Sequence, residues 1–135
     1  MTNKEFAKVW FKAIDAQDYA KLKTMMASDH SFYNPMAPAP LGADEHIGMI
    51  QMMMSALKGE HSITLMVEDD SHVVVRGRWK GTHTGPFNGV PASNKTVEFT
   101  FTDVMEIKNG KLSREALEMN PMAIMTQIGA MPAAA

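Results

Sequence analysis

Cysteine is absent from the sequence, so neither a disulfide framework nor thiolate chemistry is available. Its absence fits a reducing compartment, and we expect a cytoplasmic protein. The amino terminus lacks the apolar stretch of a secretory signal, and no apolar run approaches the roughly 18–20 residues of a membrane span. The formal net charge of −2 comes without a basic cluster, so neither a membrane nor a nucleic acid is expected as a partner.

Several catalytic motifs are missing as well. There is no Gly-x-Ser-x-Gly nucleophile turn and no glycine-rich phosphate loop, which argues against covalent acyl transfer and nucleotide binding. The five histidines include no pair at metal-ligand spacing, such as i and i+4 on a helix. We therefore expect neither a metal site nor a cofactor.

Methionine, in contrast, is abundant, with 14 copies in 135 residues. Its side chain is flexible and polarizable, and it fills irregular apolar space. The simpler interpretation is that these residues fill the core. The alternative is that some of them form an adaptable apolar lining around a ligand.

The first part of the chain has helical periodicity. A capping box at Thr2 and Glu5 begins a helix that we predict over residues 3–16. Asp18 and Asp44 are candidate caps for a second and a third helix. A short extended segment and a proline-stiffened loop separate these two helices, at residues 31–33 and 34–42.

After Gly59 the apolar spacing changes to two, which predicts strands. The four predicted strands cover residues 63–67, 72–84, 96–107 and 111–119, and Asn109-Gly110 is a hairpin signal between the last two. Beyond Pro121 we predict a short helix that covers one end of the sheet. Residues 131–135 are expected to form a frayed tail.

Helices followed by a strand meander are typical of an α+β fold. We predict one domain over residues 1–135, in which a curved antiparallel sheet carries the three N-terminal helices on its concave face. A long curved sheet under only three helices leaves room for a cavity, so a small-molecule pocket is expected between the layers.

Asp103 is the clearest candidate for chemistry. It shares one strand face with apolar residues, namely Val97, Phe99, Phe101, Met105 and Ile107. A carboxyl group there is costly unless it is paired or protonated, and desolvation would raise its pKa enough to make it a neutral hydrogen-bond donor. The alternative is an aspartate bonded to a neighbouring loop or placed at a bulge.

Four further residues are candidates for ligand contacts. Asn34 and Asn120 each precede a proline, where an asparagine commonly satisfies the backbone of its own turn. Trp10 lies on the inner face of the first helix, where core packing is the simpler interpretation. His83 shares strand parity with Trp79 and could point inward.

On the strand predicted over residues 72–84, the face opposite Trp79 carries Arg76, Arg78 and Lys80. This pattern indicates a face that is either solvated or in contact with another subunit.

Five stretches of the sequence form a recognisable set. They are Ala13-Ile14-Asp15-Ala16-Gln17-Asp18, Tyr33-Asn34-Pro35 before Gly42 and a helix, Gly81-Thr82-His83-Thr84-Gly85-Pro86-Phe87-Asn88-Gly89-Val90-Pro91, Asp103 with Asn109-Gly110-Lys111, and Gln127-Ile128-Gly129. The first two resemble nuclear transport factor 2-like domains, and the other three resemble the SnoaL-like polyketide cyclase branch of that superfamily. The resemblance implies a cone-shaped α+β barrel with a deep apolar pocket, a small apolar ligand, and a homodimer formed through the sheet.

The resemblance also implies where catalytic groups would lie. In polyketide cyclases an acid/base aspartate stands seven residues before the closing glutamine, and Asn120 occupies that position here. An amide does not exchange protons near neutral pH. The motifs of the related ketosteroid isomerases place Trp10 at a tyrosine, Asn34 at an aspartate base and Asp103 at a protonated aspartic acid, so only the last of these is retained.

Limonene-epoxide hydrolase is similar around Asn34 and Arg76, but its two catalytic aspartates would fall at Arg78 and Leu117. Each of the three related mechanisms therefore lacks a proton-transfer residue in this chain.

Three functions remain open from the sequence. The first is an enzyme that cyclises or isomerises a small apolar carbonyl compound, with Asp103 as its acid and Trp10, Asn34, His83 and Asn120 contacting the ligand. The second is a small-molecule-binding or sensing domain without catalysis. The third is a dimerisation module whose interior is filled by methionines.

Overall fold

The computed structural model describes residues 1–130, and the predicted frayed tail at 131–135 lies outside them. Helices and strands alternate first and a run of strands follows. Their order is α1 (Asn3–Asp15), α2 (Tyr19–Met25), β1 (Met26–Tyr33), α3 (Ala43–Ala56), β2 (Leu57–Glu68), β3 (His72–His83), β4 (Thr96–Lys108), β5 (Lys111–Glu118) and α4 (Pro121–Gln127). The predicted α+β class is confirmed, with a curved sheet and helices packed against it.

Helix α1 begins at the capping box that the sequence predicts. The Thr2 Oγ1 accepts from the Glu5 backbone N–H at 3.1 Å, and the Thr2 N–H donates to Glu5 Oε2 at 2.7 Å. Two of the free N–H groups at the helix start are thereby satisfied. The apolar stripe of α1 is buried against the sheet, and it includes Phe6, Trp10, Phe11 and Ile14.

Helices α2 and α3 begin differently. Asp18 caps α2 as predicted, because its Oδ1 accepts from the Lys21 N–H at 3.1 Å. The predicted cap at Asp44 is wrong, since α3 begins at Ala43 and its cap is the extended residue Gly42. Asp44 lies within the first turn, where a carboxylate still favours the positive end of the helix, and it pairs with Lys23.

The sheet has five strands in the order β1-β5-β4-β3-β2. Strands β2 to β5 form the predicted antiparallel meander, but β1 pairs with β5 in parallel, so the sheet is mixed. The predicted extended segment at 31–33 is the end of this longer strand. Polar residues at Ser28 and Asp29, and an irregular register between Met26 and Ser31, disguise the start of β1 in the sequence.

The concave face of the sheet supports the core. Val73 and Val75 of β3 and Phe101 and Met105 of β4 are fully or almost fully buried under the helices. A Cβ at Gly77 would lie 2.6 Å from Phe101 Cζ, so the missing side chain is what lets the Phe101 ring lean across β3. Within residues 1–130, no helix is long and apolar enough to cross a membrane.

Candidate functional site

A cavity of about 100 Å³ lies between the helices and the concave face of the sheet. Its wall is predominantly apolar, with aromatic side chains from α1, β1, β3 and β4 and a few polar groups. Pockets for drug-sized ligands generally measure about 300–1,000 Å³. The cavity as it stands is smaller than these pockets, and a drug-sized ligand would require lining side chains to move.

Methionine supplies much of this lining. Five of the 14 methionines border the cavity, namely Met36, Met49, Met53, Met54 and Met119. Because methionine has three rotatable side-chain bonds and no branching, it can change rotamer at low cost. Other methionines, namely Met25, Met26 and Met105, are core residues, so methionine both fills the core and borders the cavity.

Asp103 lies at the wall of this cavity and is completely buried. It pairs regularly with Val75 on β3 and with Leu117 on β5. The irregular register of β4 falls later, between Glu106 and Ile107, so Asp103 does not occupy a bulge. Among residues 1–130, no backbone or side-chain N–H donates to either carboxyl oxygen of Asp103, so it is not fastened to a loop.

The partner of Asp103 is a second carboxyl group, Glu115 on β5. Glu115 lies opposite Met105, which places it diagonally next to Asp103 on the same face of the sheet. Burial raises the pKa of Asp103 to about 7, although the hydrogen bond from Glu115 opposes this rise. Burial, the charge of Asp103 and their mutual hydrogen bond all raise the pKa of Glu115 well above its ordinary value.

These shifts mean that the two carboxyl groups do not ionise together near neutral pH. The pair of neighbouring carboxyl groups therefore retains a proton inside an apolar wall. We call Asp103 and Glu115 the carboxyl pair.

Glu115 is not among the residues that the sequence singles out. The sequence did carry a signal for Glu115. Residues 113, 115, 117 and 119 are spaced by two, so Glu115 shares a strand face with Ser113, Leu117 and Met119. The burial of both Leu112 and Ser113, next to the irregular register, breaks the alternation on which such a prediction depends.

His46 borders the cavity, and it and the neighbouring His30 fix each other's protonation. The Leu112 carbonyl oxygen can only accept, so His30 donates to it from Nδ1 at 3.0 Å. His30 Nε2 then accepts from His46 Nδ1 at 2.9 Å. Burial, and next the neighbouring His30, lower the pKa of His46 to about 3, so its ring is neutral and keeps its lone pair on Nε2.

A third histidine, His61 on β2, also borders the cavity. Its Nδ1 lies 2.6 Å from Asp15 Oδ1, at the end of α1. The ring packs against Phe11 at a centroid distance of 5.0 Å and meets Phe101 edge-on at 5.5 Å. Sequence reasoning missed this contact because Asp15 and His61 come from separate elements.

Asn34 borders the cavity, and its amide is already engaged. The Oδ1 accepts from the Met36 N–H at 2.8 Å, and the Nδ2 donates to the sulfur of Met49 at 3.3 Å. The first contact is the turn geometry expected of an asparagine before proline. Asn34 thus shapes the loop and holds a lining methionine in place.

The remaining sequence candidates lie elsewhere. Trp10 is completely buried above His46, at a centroid distance of 5.8 Å, and does not line the cavity. His83 is buried at the far end of β3, where its Nδ1 contacts Ser93 Oγ at 2.8 Å. Asn120 caps α4 by accepting from the Met122 N–H at 3.0 Å, and it faces a groove on the outer side of the sheet with Arg76 and Arg78. The structure therefore brings Asn34 and Asp103 to the cavity and leaves these three outside it.

Comparison with known protein families identifies the family of this chain. The family model described as SnoaL-like polyketide cyclase matches residues 4–128. No curated protein matches the sequence.

Solved structures share the fold at low identity. A candidate SnoaL-like polyketide cyclase from Jannaschia sp. CCS1 aligns with a TM-score of 0.86 and 23% identity over 96% of this chain and 93% of its own. A SnoaL-like polyketide cyclase from Agrobacterium tumefaciens gives 0.79 and 16% over 96% and 99%. AclR, a candidate hydroxylase from Streptomyces galilaeus, gives 0.88 and 15% over 98% and 84%. The same fold thus occurs under descriptions of different reactions, and the reaction of this chain has to be argued from its site.

Proposed function

The chain belongs to the SnoaL-like polyketide cyclase family, and from that premise we propose that it is an enzyme that isomerises or cyclises a small apolar carbonyl compound. The observation that carries the proposal is the carboxyl pair, which holds a proton at the wall of an apolar cavity.

The carboxyl pair suits carbonyl chemistry for a physical reason. Enolisation moves negative charge onto the carbonyl oxygen, and a proton donor placed at that oxygen lowers the barrier. A carboxyl group in water is ionised at neutral pH and cannot donate. Burial keeps this pair protonated, so it can donate to a substrate oxygen that enters the cavity.

The missing aspartate at Asn120 changes how the family resemblance applies. Asn120 lies on the outer side of the sheet, so its replacement of the cyclase aspartate says little about the chemistry inside the cavity. The proposed acid is instead Asp103 together with Glu115, on neighbouring strands.

Hydrogen exchange into simple ketones tests the proposal, and the natural substrate is not needed for it. The protein is incubated in D₂O with cyclohexanone or with 3,5-heptadien-2-one, and proton NMR follows the loss of hydrogens that enolisation makes exchangeable. We expect wild type to catalyse exchange with at least one ketone. The exchange rate should fall by about 10²-fold or more in Asp103→Asn and in Glu115→Gln, as for removal of a general acid. Asp70→Asn, in an exposed turn, is the matched control. No exchange with wild type, or full exchange in Asp103→Asn, contradicts the proposal.

Ligand binding without catalysis is the second candidate, and the engaged amide of Asn34 favours it. At that position relatives use a base, whereas here both amide ends already contact Met36 and Met49. The same ketones distinguish the two functions. A rise in the melting temperature with ketone concentration, without any exchange in wild type, supports binding alone.

We also propose that the chain forms a homodimer through the outer face of its sheet. Val67, Val74 and Val104 lie side by side across β2, β3 and β4, and each is more than a third exposed. A continuous apolar row on a sheet face is typical of a contact surface. Sedimentation of wild type and Val74→Lys measures the assembly, and a wild-type monomer at micromolar concentration contradicts it.

A further inference from the structure

Asp15 and His61 form a contact in which one carboxylate holds one residue at two points. The His61 backbone N–H donates to Asp15 Oδ2 at 3.0 Å, and the His61 ring nitrogen Nδ1 lies 2.6 Å from Asp15 Oδ1. An ionised carboxylate can only accept hydrogen bonds. The ring nitrogen that contacts Asp15 must therefore donate, so the ring hydrogen is on Nδ1. The neutral ring therefore carries its lone pair on Nε2.

The free nitrogen of this ring is accessible. Among residues 1–130, His61 Nε2 has no hydrogen-bond partner. It is also not one of the polar side-chain atoms that are completely buried without a partner. The His61 side chain is 15% exposed and borders the cavity. Phe11 and Phe101, which also pack against each other, both contact the ring, so packing as well as Asp15 restricts its orientation.

The other histidine at the cavity differs in what supports it. His46 has a second imidazole behind its Nδ1, and burial together with that neighbour makes it a weak base. His61 has a carboxylate behind its Nδ1, which stabilises the imidazolium that forms when Nε2 takes up a proton. Of these two rings, only His61 has a carboxylate at Nδ1 behind its free Nε2.

We propose that His61 is the proton acceptor of the cavity and that Asp15 is its positioning residue. This inference rests on the proposed carbonyl chemistry and assigns its base. The C–H bond that conjugation with the carbonyl acidifies breaks, and its proton goes to His61 Nε2. The electron pair moves through the conjugated system to the carbonyl oxygen, which takes a proton from the carboxyl pair. The imidazolium then returns its proton to carbon and the enol returns its proton to the pair, so no oxidant or reductant is consumed.

The separation between acid and base indicates the substrate class. His61 pairs with Trp79, which pairs with Phe99, so Asp103 is two strands away and four residues further along β4. Ordinary strand spacings place the two Cα atoms roughly 16 Å apart before side chains extend and the sheet curves. A simple ketone carries its acidic hydrogen next to the carbonyl and spans little of this distance. A conjugated enone or dienone, whose acidic hydrogen lies at the far end of the conjugated system, fits better.

The dienone 3,5-heptadien-2-one tests both parts of the inference in one molecule. It carries an acetyl methyl group next to the carbonyl and a second methyl group at the far end of the diene, and proton NMR in D₂O resolves the two. We expect wild type to catalyse exchange at the far methyl group. His61→Gln should lose that exchange by about 10²-fold or more, as expected for removal of a general base. His72→Gln, an exposed histidine outside the cavity, is the matched control and should exchange normally.

Asp15→Asn separates a positioning role from a purely structural clamp between α1 and β2. A clamp predicts a lower melting temperature with an unchanged kcat in the folded fraction. Positioning predicts a lower kcat at similar KM. It also predicts a changed ¹⁵N pattern of the His61 ring, because the amide no longer fixes the hydrogen on Nδ1.

Three results would overturn the inference. The first is a wild-type ¹⁵N spectrum in which the hydrogen resides on His61 Nε2, which needs no substrate. The second is exchange that is lost in Asp103→Asn but retained in His61→Gln, which leaves the proposed function standing and removes His61 from it. The third is wild-type exchange at the acetyl methyl group alone. An absence of all exchange in wild type refutes the proposed function itself, and the base with it.

Discussion

Replacing Asp103 by asparagine should make the protein more stable at neutral pH while abolishing its proposed activity. In wild type the folded-state pKa of Asp103 is raised from 3.8 to about 7 by burial. A carboxyl group with a raised folded pKa binds more protons in the folded state than in the unfolded state between these values. Protonated Asp103 therefore makes its full contribution to the free energy of unfolding below about pH 4, and this contribution is lost as the pH rises to about 7.

The size of the effect follows from that interval. Each pKa unit corresponds to about 1.4 kcal/mol, so a shift of about three units amounts to roughly 4 kcal/mol at and above pH 7. Relaxation of the side chains reduces this figure, and a difference of about 1–3 kcal/mol is the measurable expectation. Asparagine has no charge to desolvate, and its amide oxygen can accept from the protonated Glu115.

Urea unfolding followed by tryptophan fluorescence measures the difference, since Trp10 and Trp79 are both buried. The free energy of unfolding of Asp103→Asn minus that of wild type should rise from about pH 4 to about pH 7, and the lower pKa of Glu115 in the variant adds to this rise with the same sign. The buried His30 and His46 titrate over part of the same range with the opposite sign, but they are present in both proteins and cancel in the difference. Asp70→Asn should show no such slope. A difference that is flat with pH refutes the assignment of Asp103 as a carboxyl group kept protonated by burial.

Two further outcomes test the packing and the electrostatics around the cavity. Gly77→Ala should destabilise the protein by about 1–3 kcal/mol in urea unfolding, because the new Cβ meets Phe101 Cζ at 2.6 Å and the Ser62 carbonyl oxygen at 2.7 Å. The control Gly48→Ala, in α3 with open space around it, should instead stabilise by about 0.5–1 kcal/mol, and an equal effect of both changes contradicts the packing argument. His46, with its pKa lowered to about 3 by burial and by His30, should show constant ring-proton shifts in NMR from about pH 8 down to about pH 5. Its neutral ring contributes stability that is lost as the pH falls from about 6.5 towards 3, and a titration midpoint near 6.5 would rule out the described His30–His46 contact.

The sequence predicted the fold well where a pattern is local. The capping box at Thr2 and Glu5, the change of apolar spacing after Gly59 and the hairpin signal at Asn109-Gly110 all correspond to observed elements. It did not predict that β1 joins β5 in parallel, because that pairing depends on strands far apart in the chain rather than on local alternation.

The candidate site divides in the same way. Asp103 stands out within its own strand, since one charged residue interrupts an apolar row. Glu115 and His61 become notable only through their neighbours, Asp103 in one case and Asp15 in the other. Asn120 shows the converse, because alignment with a relative's catalytic position gave it a role that its place on the outer side of the sheet does not support.

The pairing of β1 with β5 also orders the events of folding. The meander from β2 to β5 forms from neighbours in sequence, and closing a short loop costs little entropy. Strand β1 must wait for residues beyond Lys111, so on the ribosome the first third of the chain emerges well before the edge that completes its sheet. Two histidine contacts near the cavity would then form at different moments. The Asp15–His61 contact can close as soon as β2 is made, whereas His30 finds the Leu112 carbonyl only after the last hairpin has formed.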